Sequence, residues 1–371
     1  MVLLKKAAFS SKIYYSVGIL FVIVISIVVT TRIQKFNPVR YPFPIHSKNQ
    51  SVLTQSISQQ INITCIVYVV NSGGRLGNHM FMVASAYGLA RLHSCHLYFT
   101  PAITDEMKLI FIFDLSHFLI STTTFNSIMH NLPKQMTKES RSITCQYIPE
   151  LMRPNAISSG RLFELQGYWQ SYLHFHTYRD ELQNRLFVAR RLVIERVSKF
   201  FINIYRRKFK FKPHFSLDNH QLFKNQLAQS KWITWIGIHV RRADFLLTNY
   251  SSSDEYLLSS IEYYKKRYSN AHFIVASDDK RYCRNLFRHR PNIFVTPVSF
   301  SNGDDLIALS LCQHSIVTGG TFGWWTGYLA SGEVIHDKAY PSGCERDEYY
   351  YPSWFIIPGQ IRAHNNSNYT V

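Results

Sequence analysis

Residues 234–245 read TWIGIHVRRADF. Thr234 to Val240 form an apolar, partly β-branched run of strand length, and the run stops at two arginines and an aspartate. A strand apolar along its whole length is buried on both faces, the mark of a parallel sheet between helices. Working outward, the same rhythm repeats. AHFIVAS (271–277), NIFVTPV (292–298), SIVTGG (315–320) and EVIHD (333–337) read as strands. Between them DEYLLSSIEYYKKRY (254–268), DKRYCRNLF (279–287), DDLIALSLCQH (304–314) and FGWWTGYLA (322–330) carry helical spacing. Strands alternating with single helices imply an α/β fold with a parallel, doubly wound sheet. Ligands of such sheets sit at the carboxyl ends of the strands. The residues unusual for a core fall there: His239 to Asp244, then Asp278 and Asp279, then Gly319 to Thr321.

The chemistry of that edge suits a diphosphate. Side chains alternate along a strand, so one of Arg241 and Arg242 can face a ligand while its neighbour serves structure, and a guanidinium offers a rigid, permanently charged fork. Thr321 opens a helix whose first amides add an anion site. Asp244 either accepts a proton or orients one of the arginines, with Asp254 and Glu255 behind it. Asp278 and Asp279 either contact a base and ribose or cap the next helix. Trp324 and Trp325 read as core anchors. No Asp-X-Asp triplet, Walker sequence, HExxH or GxSxG occurs, so phosphate charge here falls to arginine and helix amides, without a metal.

Upstream, CIVYVV (65–70), the glycine loop NSGGRLGN (71–78) and HMFMVASAYGLARLH (79–93) read as strand, loop and helix, with CHLYFT (95–100) the next strand. FELQGYWQSYLHFHTYRDELQNRLF (163–187) opens as a strand and continues as a helix. Residues 188–212 carry nine Lys or Arg at helical spacing and read as a solvated helix face. The polar stretch near 213–231 reads as a domain boundary.

The formal charge of +18 points to an anionic partner, and a small phosphate ester fits better than nucleic acid. Residues 13–31 lack charge over nineteen positions, enough for one membrane crossing of roughly 28 Å. Lys5, Lys6 and Lys12 precede it, which predicts a cytoplasmic tail (1–12), a signal anchor (13–31) and export of the rest. Residues 32–62 read as a stem. Asn49, Asn62, Asn249, Asn365 and Asn368 are glycosylation acceptors by motif. All six cysteines follow the anchor and allow three bridges in 15 connectivities, with buried free thiols the alternative for Cys65 and Cys312.

GGRLGNHM, GYWQSY, HVRRAD, ASDD and DDLIALSLCQHSIVTGGTFGWWTGYL, between about residues 66 and 340, resemble the galactoside alpha-1,2-fucosyltransferases, glycosyltransferase family 11. The resemblance implies a GT-B-like architecture of two Rossmann-like domains facing a cleft. They are an acceptor-side domain over 63–230 and a GDP-fucose-binding domain over 231–345, with a tail over 346–371. It implies a Golgi type II membrane enzyme that moves fucose from GDP-fucose, with inversion and no metal, to O2 of a terminal galactose. By that likeness Arg241 binds the diphosphate, His239 and Asp278 or Asp279 contact guanosine, and Thr321, Phe322 and Gly323 lie along the phosphates. Asn78 reaches the donor from the other domain. His79 stands where the family usually has glutamine. A catalytically silent relative, a fucosyltransferase with another acceptor, and a polyanion binder acting through 188–212 are the competing readings.

Overall fold

The computed structural model describes residues 65–357, apart from 71–72, 212, 216–218, 231, 249, 331 and 338–343. The expected tail 1–12, anchor 13–31, stem 32–62 and all five acceptor asparagines lie outside those residues. Among the described residues no helix is long and apolar enough to cross a membrane.

Two parallel sheets organise the chain. The first has the order β2-β1-β4-β3, built from β1 (Cys65–Val69), β2 (His96–Phe99), β3 (Thr137–Ile143) and β4 (Arg161–Gly167). The second has the order β10-β9-β8-β5-β6-β7. Its strands are β5 (Thr234–Val240), β6 (Ala271–Ser277), β7 (Ile293–Val295), β8 (His314–Val317), β9 (Val334–His336) and β10 (Phe355–Ile356). Every residue of β5 is buried, as an uninterrupted apolar run between two helical layers requires. Ile236 and Ile238 face one layer with Leu257, Ile261 and Tyr264, while Trp235 faces the other with Phe201 and Phe223.

The helices are α1 (Leu76–His93), α2 (Pro101–Ile110), α3 (Thr122–His130), α4 (Arg191–Lys208), α5 (His220–Ala228), α6 (Asp254–Arg267), α7 (Lys280–Leu286), α8 (Asn302–Ser310), α9 (Thr321–Ala330) and α10 (Asp347–Tyr350). Local chemistry sets their starts. Ser253 caps α6, Asp279 caps α7, and Ser301 with Asp304 forms a capping box on α8. Helix α1 is apolar on nearly all sides because it is buried on nearly all sides. Basic α4 is amphipathic, with Val193, Ile194, Val197 and Phe201 inward and most of its cations in solvent.

Three expectations shift. After β4 the chain winds through short 3₁₀ turns and a π-helical turn at Leu182–Leu186 instead of one regular helix. The polar stretch near 213–231 carries α5, with Phe223 and Leu227 buried, and so packs as part of the fold. Beyond residue 345, α10 and β10 complete the second sheet, where Phe355 pairs with Val334.

The sheets are joined by a shared aromatic core between α1 and α9. Phe81 meets Trp324 at 4.4 Å and Trp325 at 5.1 Å, and Phe175 stacks on Trp325 at 5.6 Å. Trp324 and Trp325 are core residues, buried to 1% and 0% exposure. Helix α1 comes so close to α9 at Gly77 that a Cβ there would lie 2.6 Å from Thr321 Oγ1 and 2.7 Å from the Phe322 amide nitrogen. Disulfides join Cys65 to Cys95 and Cys145 to Cys344, whereas Cys283 and Cys312 are buried thiols. The free-thiol reading therefore holds for Cys312 and fails for Cys65, whose strand β1 lies beside the chain entering β2.

Candidate functional site

The carboxyl ends of β5, β6 and β8 open onto a cavity of ≈ 390 Å³, and the loop before α1 closes it from the side of the first sheet. Asn78, His239, Arg241, Asp244, Asp278, Thr321 and Phe322 line it together. Residues separated by as much as 243 positions meet there, because Thr321 Oγ1 donates to Asn78 Oδ1 at 2.9 Å.

Arg241 is held before any ligand arrives. Its guanidinium donates to Asp244 Oδ2 at 2.6 Å through Nη2 and pairs with Asp278 Oδ2 at 2.9 Å through Nη1. Its own amide donates to Thr318 Oγ1 at 2.7 Å. A guanidinium has five N–H donors, so two carboxylate contacts leave three for a ligand. The side chain is 19% exposed, which keeps the charge partly out of water and strengthens its field on the cavity.

Asp278 does more than pair with Arg241. Its Oδ1 accepts from the amides of Arg242 at 2.9 Å and Ala243 at 3.3 Å, so it fixes the turn that follows β5. Asp279 takes the capping alternative: its Oδ1 accepts from the Tyr282 amide at 2.9 Å, and it does not line the cavity. Arg242 turns away, its guanidinium 3.8 Å over the Tyr282 ring and 3.6 Å from Asp279 Oδ2. The two arginines thus divide as the alternation of a strand end dictates.

Asp244 is half-exposed through one oxygen, while its Oδ1 is buried without a hydrogen-bond partner. Burial works to raise its pKa. The Arg241 hydrogen bond and charge, helped by Arg75, outweigh burial and hold it below the usual carboxylate range. Asp254 and Glu255 do not line the cavity, and Asp254 accepts instead from the Tyr282 hydroxyl.

His239 is fully buried, and burial followed by the Arg241 charge pushes its pKa down to about 3, so it is neutral. Its ring lies 5.2 Å from that of Phe322, and its Nδ1 has no partner. Gly323 lies behind this ring: a Cβ there would collide with Nδ1, so the glycine makes room for the histidine and does not line the cavity. The amides of Thr321 and Phe322 open α9, whose first intrahelical bond runs from Trp324 to Gly320 at 3.2 Å. The amides before it are available to an anion.

Several contributors escaped the motif reading. Gln170, buried after β4, donates to Asn78 Oδ1 at 3.0 Å and so fixes the amide from its own half. Asp305 and Asn302 also line the cavity. Burial raises the Asp305 pKa, and the Lys280 ammonium, 2.8 Å away, opposes that rise. His79 is bonded to Glu106 and lies beside the cavity, not in it. The signal for Gln170 and Thr318 was only positional, since each follows the carboxyl end of a strand, while Asp305 lies in the first turn of α8. Among the described residues no group of three or more His, Cys, Asp or Glu stands where it could hold a metal ion.

The profile of the family described as "Glycosyl transferase family 11" matches residues 201–357. The chain is 24% identical over 318 residues to a galactoside alpha-(1,2)-fucosyltransferase 2 of Bos taurus, covering 80% of each chain. It is 26% identical over 319 residues to that of Hylobates lar, again covering 80% of each. Among solved structures it is similar to a mutant of Arabidopsis thaliana FUT1 in complex with GDP. That likeness has a TM-score of 0.44 and 13% identity, and covers 76% of this chain and 72% of the other.

Proposed function

The chain belongs to glycosyl transferase family 11, and from that premise we propose that it transfers fucose from GDP-fucose to O2 of a terminal galactose, with inversion. The observation that carries the reading is the Arg241 fork, pre-set between Asp244 and Asp278 at a cavity lined from both sheets. On this reading the first sheet belongs to an acceptor-side domain (63–230) and the second to a donor domain (231–345, carried on to 357 by α10 and β10) of a GT-B-like enzyme.

The diphosphate lies against Arg241 and the free amides of Thr321 and Phe322. The base lies against the lining of neutral His239, Asp305 and Asn302, which offer polar edges. Asn78, with its Oδ1 already engaged by Gln170 and Thr321, presents the remaining amide hydrogens from the other side. In the transfer the bond from fucose C1 to the β-phosphate oxygen breaks, and its electron pair leaves with GDP. Galactose O2 bonds to C1 from the opposite face. The charge growing on the leaving oxygen is offset by Arg241 and the helix amides, so the step as proposed uses no metal.

The hydroxyl proton passes to Asp244 through its exposed oxygen, Oδ2, which Arg241 orients. Its lowered pKa keeps it ionised at neutral pH and makes it a weak base, so it takes the proton only after bonding to C1 has acidified the hydroxyl. On this reading residues 13–31 anchor the enzyme as a single-pass type II protein of the Golgi membrane, with Asn49, Asn62, Asn249, Asn365 and Asn368 on the lumenal side.

The test gives the full chain in detergent labelled GDP-fucose, EDTA and a panel of galactose-terminated oligosaccharides. Label on galactose O2 is the expected result. GDP binding with no transfer to any galactose-terminated acceptor would overturn the assignment.

A further inference from the structure

Among the described residues the second sheet ends at β7, whose outer edge has no strand beside it. Phe273 donates its amide to Asn292 O at 2.9 Å and Thr296 donates to Val275 O at 2.8 Å, so the backbone groups of alternate residues turn inward to β6. Those of Ile293 and Val295 therefore turn outward. The Ile293 amide is taken by Arg290 O at 3.1 Å, which leaves the Ile293 carbonyl and both Val295 groups without a strand partner.

A groove of ≈ 610 Å³ crosses this edge. It is lined from both faces of the sheet, since α4 packs on the face of Ile274 and Ala276 while α7 packs on the face of Phe273 and Val275. Helix α4 supplies Arg207 and Lys208 on one side, and α7 with its following turn supplies Arg284, Arg288 and Arg290 on the other. Among the described residues no Asp or Glu lines the groove. Arg290 pairs with Glu262 at 3.1 Å. Among the described residues the other four cations have no carboxylate partner. Phe200 and Phe294 give the groove an apolar lining between the charges.

Unpaired strand edges, an apolar lining and unneutralised cations on both flanks together define one chemistry of ligand. We propose that this groove docks an extended acidic peptide segment of a partner protein, which adds to β7 as a further strand and sets its carboxylates against the five cations. The charge complementarity selects an acidic chain, and the exposed edge selects a polypeptide over a sulfated polysaccharide, which cannot continue a β-ladder.

The experiment measures binding of a fluorescent peptide of about eight residues, alternating Glu and Val, to the full chain in detergent. An analogue methylated on alternate backbone nitrogens and a heparin oligosaccharide serve as comparison probes. The expected result is binding that falls about tenfold between low salt and about 0.3 M salt, and about tenfold in the Arg284→Glu/Arg288→Glu variant. Both side chains are exposed, so the variant folds, and fucosyl transfer to a small acceptor stays unchanged. Methylation is expected to weaken binding about tenfold by removing ladder bonds. Equal binding of the methylated analogue, or binding of heparin without the peptide, overturns the strand-addition site. If neither probe binds, the cations serve only to keep other strands off the β7 edge, and the proposal is wrong.

Discussion

Replacing Arg241 separates a role in chemistry from a role in holding the loop. In the resting site the guanidinium bonds Asp244 and Asp278, at 2.6 and 2.9 Å, and keeps three N–H donors for the diphosphate contact proposed above. Losing its transition-state contacts costs about 4 kcal/mol, or roughly a thousandfold in kcat/KM. The structural loss is smaller. Asp278 retains the Arg242 and Ala243 amides, and Asp244 retains Arg75 at 3.8 Å, so stability falls by about 1–2 kcal/mol, a few degrees in Tm. Arg241→Lys restores a charge without the fork and is expected to recover about tenfold of the lost rate. The assay is initial-rate transfer from labelled GDP-fucose by purified full chain, with a thermal melt of each variant. An Arg241→Ala enzyme within tenfold of wild type refutes the diphosphate contact. So does a loss in rate matched by collapse of the melt.

Gly77→Ala places a methyl against Thr321 Oγ1 and the Phe322 amide, pushes α1 off α9 and is expected to cost about 1–3 kcal/mol, together with most activity, read by urea unfolding and transfer rate. Opening Cys145–Cys344, which closes 199 residues, is expected to destabilise by up to about 5 kcal/mol, against about 3–4 for Cys65–Cys95 with 30, as compared by unfolding of the paired Cys→Ser variants. Burial lowers His239 and His220 to about 3 and His174 and His336 to about 4. The unfolded chain therefore binds more protons below its histidine pKa of about 6.5, and stability is full above that pH and drains as pH falls toward the folded values, by about 1.4 kcal/mol per pH unit for each histidine. Urea midpoints from pH 7.5 to 5 test this, and His239→Gln is expected to lower the slope by one histidine's share.

The second sheet was legible almost strand by strand, because β5, β6, β8 and β9 are β-branched runs punctuated by helices with clear caps. Residues 163–187 misled because their apolar residues sit at helical spacing although the chain there turns in 3₁₀ and π pieces around the buried ring of Phe175. In that segment tertiary packing overrides local periodicity. The Arg241 and His239 end of the cavity showed in the motif, since charges closing an apolar run have few structural uses. Gln170 and Lys280 did not. Their work is to hold Asn78 and Asp305, and a neutral amide in a loop or a single lysine opening a helix belongs to no motif that marks it.

The aromatic join between α1 and α9 limits how this chain can be divided. Phe81, Phe175, Trp324 and Trp325 belong to one continuous cluster that includes residues of both sheets, and Trp325 Nε1 donates to Gly77 O at 3.0 Å across the join. Neither half carries a finished surface of its own. Residues 231–357 made alone would present two indoles and the bare start of α9 to water, and half of one disulfide would be missing. If the two halves divide donor and acceptor as proposed, transplanting the second onto a relative's first half requires matching side chains along α1, and the two specificities are inherited as a pair.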